Sequence, residues 1–373
     1  MKFPRRFRFI GAGQSLIALT LVAACSSSGG SNVAAGGAAG SSTMNETGGS
    51  GGASPIGNEE SCDHVLVRFP DLLTTPEGLA VSGGKIYVTT SDTGVRVVSE
   101  VAGGAFHEVG RVPNGDAFIL GPSALGADAD ALYLDVVQGS DRALMRLPLA
   151  GGDATLLAPF KNFNGFNSPP FLTDAQYAYF EQIDATTFLS RVPLSGPPSE
   201  KVHEDAFYGD GYTAIGSDDK NVYVAVNDLD AGQYSLSTIS KTPDDSRTPI
   251  STARYTLGAC TGAPANLLVD NGTVYLGCED LALKLRQIYA LAPAAAESMN
   301  TATLVQKGTT LEYEHFAIQG GNLYFADQSH INRVPLAGGT PTVVLATYGI
   351  GYLTTDDKSL YVAGDCGVQQ ADL

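Results

Sequence analysis

The residues of this chain best suited to chemistry stand at three offsets from a recurring tyrosine. Ten positions before each such Tyr come Glu77, Ser123, Pro169, Thr213, Ala265, Glu314 and Gly351. One position further on are Gly78, Ala124, Pro170, Ala214, Asn266, His315 and Tyr352, and one position earlier are Pro76, Pro122, Ser168, Tyr212, Pro264, Tyr313 and Ile350. Among these, Glu77, Glu314, His315, Tyr212, Tyr313 and Tyr352 are the groups able to recognise something polar or aromatic, and their uneven distribution suits a ligand mouth better than a blank structural rim. Other chemistry finds less support. The five His (His64, His107, His203, His315, His330) are scattered and no Gly-x-Ser-x-Gly elbow appears, so no nucleophilic triad is expected. Glycine pairs such as Gly338-Gly339 follow strands without opening a helix, which makes them hairpin turns and not phosphate loops. Asp228 and Asp230, like Asp356 and Asp357, read as solvated turns, because acid–base work needs a set separation across a cleft. No catalytic residue is assigned, and a binder is expected before an enzyme.

The elements that position these residues follow from the tyrosines themselves. An apolar-Tyr-apolar triplet recurs at Tyr87, Tyr133, Tyr179, Tyr223, Tyr275, Tyr324 and Tyr361, spaced by 46, 46, 44, 52, 49 and 37 residues. Eight residues before each Tyr stands Leu79, Leu125, Phe171, Ile215, Leu267, Phe316 or Leu353; five before it, Asp128, Asp174, Asp218, Asp270 and Asp356 recur in five of the units. One unit is a hairpin: a short apolar strand ends at an Asp whose side chain bonds the backbone two residues on, and the Tyr strand follows the turn. A third strand repeats as Arg146-Leu147-Pro148-Leu149, Arg191-Val192-Pro193-Leu194 and Arg333-Val334-Pro335-Leu336, with a fourth behind it. Four strands per 37–52 residues without helical periodicity make an all-β fold, a β-propeller. Seven units predict seven four-stranded blades. The last has room for three strands, and the orphan segment His64–Phe69 is expected to complete it, so that no edge is left open. Six blades is the rival count, if one unit is an insertion.

Cysteines and charge bound the setting. Setting Cys25 aside leaves Cys62, Cys260, Cys278 and Cys366, an even number for which three pairings exist. Cys62–Cys366 would staple the ring shut, and Cys260–Cys278 would lie within the fifth unit; a metal site competes, but no CxxC pair occurs. Residues 1–24 hold Lys2, Arg5, Arg6 and Arg8 and no acid, so the remainder carries 18 basic against 39 acidic groups, a formal charge of −21. That balance argues against nucleic acid, which needs clustered cations, and against docking on an anionic membrane through protein charge.

The N-terminal region reads as an address and a tether. A basic stretch to Arg8 and an apolar run from Phe9 to Ala24, too short and interrupted to span a bilayer comfortably, form an export signal over residues 1–24. Leu21-Val22-Ala23-Ala24-Cys25 resembles the lipobox of bacterial lipoproteins, which implies lipidation at Cys25 and attachment to the cell envelope. Ser26 after the Cys resembles the outer-membrane sorting pattern, should the host be Gram-negative. Residues 25–61 follow as a linker: positions 26–58 hold ten Gly and eight Ser among 33 residues and cannot offset their ordering entropy by burial. The propeller domain then covers 62–373.

Leu323-Tyr324-Phe325-Ala326-Asp327 with Asn332-Arg333-Val334-Pro335-Leu336-Ala337-Gly338-Gly339 resembles the YWTD repeat of LDL-receptor-type propellers, although the Trp is absent and those rings have six blades. Pro76-Glu77-Gly78-Leu79-Ala80-Val81 through Lys85-Ile86-Tyr87-Val88 is similar to the NHL and gluconolactonase-like pattern. These resemblances speak to fold and hardly to chemistry. The second implies an alternative to binding: a Ca²⁺-dependent lactonase-like hydrolase with Glu77, Asn167 and Asn227 as oxygen ligands at the central channel. The leading expectation is a monomeric, lipid-anchored binding or scaffold ring with no cofactor, its partner an envelope protein or glycan.

Overall fold

The computed structural model describes residues 62–69, 76–92, 95–113, 125–138, 141–160, 171–183, 187–204, 211–228, 233–241, 254–256, 262, 264–280, 285–291, 303–307, 316–327 and 329–373. Residues 1–24, expected to be an export signal, and 25–61, expected to be a linker, lie outside them. Seven antiparallel four-stranded sheets form seven blades. From the innermost strand outward, blade 1 is Pro76–Ser82, Lys85–Asp92, Val95–Ala102 and Ala105–Pro113; blade 2 is Leu125–Ala127, Ala131–Gln138, Asp141–Pro148 and Thr155–Phe160. Blade 3 is Phe171–Thr173, Tyr177–Ile183, Thr187–Pro193 and Glu200–Glu204; blade 4 is Gly211–Ser217, Asn221–Asp228, Gln233–Ser240 and Arg254–Thr256. Blade 5 is Pro264–Asp270, Thr273–Asp280, Leu285–Leu291 and Thr303–Lys307; blade 6 is Phe316–Gln319, Asn322–Ala326, His330–Pro335 and Thr342–Ala346. Blade 7 takes Ile350–Thr355, Ser359–Gly364 and Gly367–Asp372 from the C-terminus, and Val65–Val67 from the N-terminal side as its outermost strand. Seven blades closed by an N-terminal strand is the expected architecture, and the count of six is excluded.

The triplets explain the ring. Successive residues of a strand point to opposite faces, so the Tyr and its two flanks face different neighbours. Tyr87 packs against Leu132 and Leu134 of blade 2, Tyr133 against Ala178 and Phe180 of blade 3, and Tyr179 against Val222 and Val224 of blade 4. Tyr223 meets Val274 and Leu276, Tyr275 meets Leu323 and Phe325, and Tyr324 meets Leu360 and Val362. Tyr361 of blade 7 then reaches Ile86 and Val88 of blade 1. Each tyrosine therefore belongs to one inter-blade core with the flanks of the next triplet, and the seventh core closes the circle. All seven are at most 6% exposed.

The Asp of the repeat does two jobs at once. Asp128 Oδ1 accepts the N–H groups of Asp130 (2.8 Å) and Ala131 (2.7 Å), while its Oδ2 accepts the Tyr133 hydroxyl at 2.6 Å. Asp218 holds Lys220, Asn221 and Tyr223 in the same way, and Asp356 holds Lys358, Ser359 and Tyr361. The five-residue spacing from Asp to Tyr thus ties the turn to the core side chain. Blade 3 varies the theme: Asp174 takes its two N–H groups but also receives Lys241 Nζ at 2.8 Å from the segment after the third strand of blade 4. Blades 1, 5 and 6 turn on two residues with positive φ, as at Asn271 (49°) and Gly272 (75°), the geometry a two-residue hairpin requires.

These groups titrate in opposite directions. Burial pushes Tyr133 and Tyr179 up to about 12, with Asp128 adding to the rise at Tyr133 and Asp174 at Tyr179. Burial also pushes the turn carboxyls up, but for Asp128, Asp218 and Asp356 the N–H groups and tyrosine hydroxyls together outweigh it and hold them below the ordinary value. A raised tyrosine contributes stability that is present below the unfolded value of about 10 and lost as pH rises through the folded one. A lowered carboxyl contributes stability that is present above about 4 and lost as pH falls through the folded value. Melting midpoints followed against pH are expected to fall below about pH 4 and between roughly pH 10 and 12. Replacing Tyr133 and Tyr179 by Phe is expected to flatten the alkaline limb, and a limb of unchanged depth would contradict the assignment.

Candidate functional site

Alternating strand direction divides the turns between the two ends of the ring. The turns between first and second strands and between third and fourth strands lie at one end, which includes the Asp turns. The turns between second and third strands, and the crossings from blade to blade, lie at the other. Every innermost strand begins at this second end, and there the ladder is irregular. In blade 1, Pro76 pairs with Thr90 and Gly78 with Thr89, so the register shifts at Glu77, the extra residue of a bulge. Thr213 in blade 4, Ala265 in blade 5 and Gly351 in blade 7 are bulged in the same way. These are the residues ten positions before the tyrosine. Bulges of this kind re-aim a side chain and end the pairing, and they occur beside functional sites.

The bulge separates the candidates into two sets. Glu77, Thr213 and Gly351 are half-buried at the bulge, while Gly78, Tyr212, Ala214 and Ile350 beside them are buried. Tyr212 is 5% exposed and sits in the core between blades 3 and 4 with Tyr179, Ile215 and Val224. Its backbone N–H donates to Glu181 Oε1 at 2.8 Å, and Glu181 is itself 5% exposed. Tyr352 is half-buried and packs on the core between blades 7 and 1, with Leu79, Val88 and Tyr361. Of the two phenols expected at the mouth, Tyr212 lies within an inter-blade core, and Tyr352 packs against one while half-buried. Glu77 keeps its place on the bulge. Tyr313, Glu314 and His315 lie outside the described residues, as do Asn167, Cys25 and Cys260.

Of the oxygen ligands considered for Ca²⁺, Asn227 belongs to the second strand of blade 4 and Glu77 to the first strand of blade 1, three blades apart in chain order. Among the described residues no group of three or more His, Cys, Asp or Glu is placed to hold a metal ion. The cysteines fall near the same end. Cys62 is bonded to Cys366, with Cα atoms 5.7 Å apart, and Cys278 is also disulfide-bonded.

Two features escaped the repeat pattern. Asp135 (1% exposed) and Arg142 (8% exposed) form a buried pair in blade 2, with Arg142 Nε donating to Asp135 Oδ1 at 3.1 Å and Nη2 to Oδ2. Asp135 and Glu181 each stand two residues after the triplet tyrosine, where blades 4 to 7 carry Ala225, Gly277, Ala326 and Ala363. An acid at that offset is the signal that would have found them. Both are occupied by internal partners, Asp135 within blade 2 and Glu181 across blades 3 and 4.

No protein-family model matches the chain, and no curated protein matches its sequence. Solved structures match it by shape. The computationally designed Ika8 protein is 11% identical with a TM-score of 0.52, over 83% of this chain and 100% of that one. The WD40 domain of Toxoplasma gondii coronin is 12% identical with a TM-score of 0.53, over 83% of each chain. BamB from Moraxella catarrhalis is 14% identical with a TM-score of 0.47, over 79% of this chain and 84% of that one, a looser overlay on which nothing rests. At such identities the likeness concerns the fold, which hosts many unrelated activities. Shape and internal repeat agree that the chain is a β-propeller, and its strand pairing makes it seven-bladed.

Proposed function

We propose that this protein is a non-catalytic binding module of the bacterial cell envelope, exported and lipid-anchored through Cys25. Its recognition surface is the end of the ring where the innermost strands begin, and its partner is an envelope protein or glycan. The observation that carries the reading is the set of bulges at that end, in blades 1, 4, 5 and 7, with Glu77 half-buried on the first of them. The anchor is supported by the sequence Leu21-Val22-Ala23-Ala24-Cys25 and by the Gly/Ser-rich linker behind it.

Two measurements test the two halves separately. Full-length protein is expected in the membrane fraction, and Cys25→Ser is expected to move it to the soluble fraction; an unchanged distribution would remove the anchor. Immobilised protein is then exposed to a detergent-solubilised envelope extract. Glu77→Arg is expected to lower capture of the retained partner at least about tenfold, the 1.4 kcal/mol that one reversed contact readily supplies. Asp357→Ala, on an exposed turn at the opposite end, is expected to leave capture unchanged. Equal capture by both variants would sink the assignment of the end. A melting midpoint raised by millimolar Ca²⁺ would favour the hydrolase alternative instead.

A further inference from the structure

The N-terminal segment is gripped before it becomes a strand. Cys62 is bonded to Cys366, in the turn between the second and third strands of blade 7. Asp63 reaches sideways to blade 6, where its N–H donates to the carbonyl of Ala346 at 3.2 Å. Beneath the junction lies Gln369, 0% exposed. Its Nε2 donates to the Asp63 carbonyl at 2.6 Å and to the Ala346 carbonyl at 3.0 Å, and its Oε1 accepts the hydroxyl of Thr347, also 0% exposed. His64 then accepts the N–H of Gln370 at 3.1 Å. One buried amide therefore binds the incoming chain, the last residue of blade 6 and the crossing into blade 7.

The strand that follows is slight by comparison. Val65–Val67 has three residues, and its register against Val368 and Gln369 shifts between Val65 and Val67. So short and irregular a strand is marginal by itself. Tension on the chain upstream would peel it from its first residue, opening blade 7 and uncovering the edge of Gly367–Asp372. The disulfide alters the path of that tension. A pull arriving at Cys62 crosses to Cys366 before it reaches Val65. The bond also closes a loop with a sequence separation of 304, so nothing between the two cysteines can be drawn out. Only the seven residues from 367 to 373 remain extensible on the far side.

We infer that Cys62–Cys366, backed by the Gln369 amide, is a load-transfer clamp that delivers tension on the N-terminal segment into blades 6 and 7 and keeps the ring-closing strand out of the load path. The source of tension is the Cys25 anchor proposed above, on which the physiological role rests. The load path belongs to the ring alone and is tested without a membrane.

The test is an optical-trap measurement on the chain from residue 25 onward, held by handles at residue 25 and Leu373. Under non-reducing conditions the gain beyond the stretched linker is expected to stop at the seven C-terminal residues, roughly 25 Å at about 3.5 Å each. Cys62→Ser with Cys366→Ser is expected to rupture first at lower force and to release the chain after Cys62, apart from the loop that the disulfide of Cys278 still closes, roughly 1,000 Å in all. In that serine background, Gln369→Leu lowers the first rupture force further, and Thr347→Val, which removes one bond of the same amide, lowers it by less. In the disulfide-bonded chain neither changes the extension. Release of hundreds of ångströms by the non-reduced chain would overturn the clamp. So would serine variants that rupture at wild-type force, or a Gln369→Leu variant that leaves the serine background unaltered. Failure of Cys25→Ser to leave the membrane fraction would count against the anchor only.

Discussion

Tyr133→Ala is expected to destabilise the ring by about 3–5 kcal/mol, the cost of truncating a large buried aromatic without refilling its space. Tyr133 is 0% exposed and packs with Ala178, Phe180 and Val192 of blade 3 as well as with Leu144 and Leu157 of its own blade. The lost volume therefore lies between two blades, where neither sheet can move into it without leaving its other neighbour. Tyr133→Phe isolates the hydroxyl and is expected to cost about 1 kcal/mol. Asp128→Ala removes the acceptor of two backbone N–H groups and of that hydroxyl, and is expected to cost about 1–3 kcal/mol. In a double-mutant cycle Tyr133→Phe and Asp128→Ala should couple, because they share one hydrogen bond. Denaturant unfolding of the four proteins decides it. Strict additivity, or a Tyr133→Phe as costly as Tyr133→Ala, would show that the repeat is not built as described.

The second large effect concerns closure. Cys62→Ser with Cys366→Ser is expected to remove about 2–5 kcal/mol, at the upper end because the loop is so long. For a ring of this size that lowers the melting midpoint by on the order of 10 °C. Serine variants serve better than a reductant, since Cys278 is disulfide-bonded too and would open at the same time. The loss should fall on the unfolded chain, so the far-ultraviolet signature of the folded ring stays the same while its midpoint moves. A midpoint within a degree of wild type would mean that hydrogen bonding around Gln369 closes the ring unaided.

How far the molecule can be read from its residues depends on the range over which a signal acts. The triplets mark strands because alternation repeats every two residues, and their burial on both sides follows from apolar flanks around an apolar-bodied tyrosine. The Asp turns are legible because the side chain bonds backbone two and three residues on. The closing strand could be inferred because the last unit was one strand short and an orphan apolar segment stood before the first. At the start of the innermost strands, seven aligned units made one position comparable across blades, and that position carries the bulge in blades 1, 4, 5 and 7. The bulge itself was not legible, because a single extra residue in a strand reverses which face its neighbours take, and no local pattern announces it.

The strand order, the number of blades and the turn chemistry were thus legible in the residues themselves, carried by contacts within a few residues or by repetition at a fixed period. The tertiary structure alone decided where the innermost strands bulge, that Glu181 caps the Tyr212 N–H 31 residues away, and that Gln369 reaches Asp63 across 306 residues. Those contacts form only once blades have packed against one another, between groups whose spacing follows no period, and so they leave no trace in the pattern of the chain.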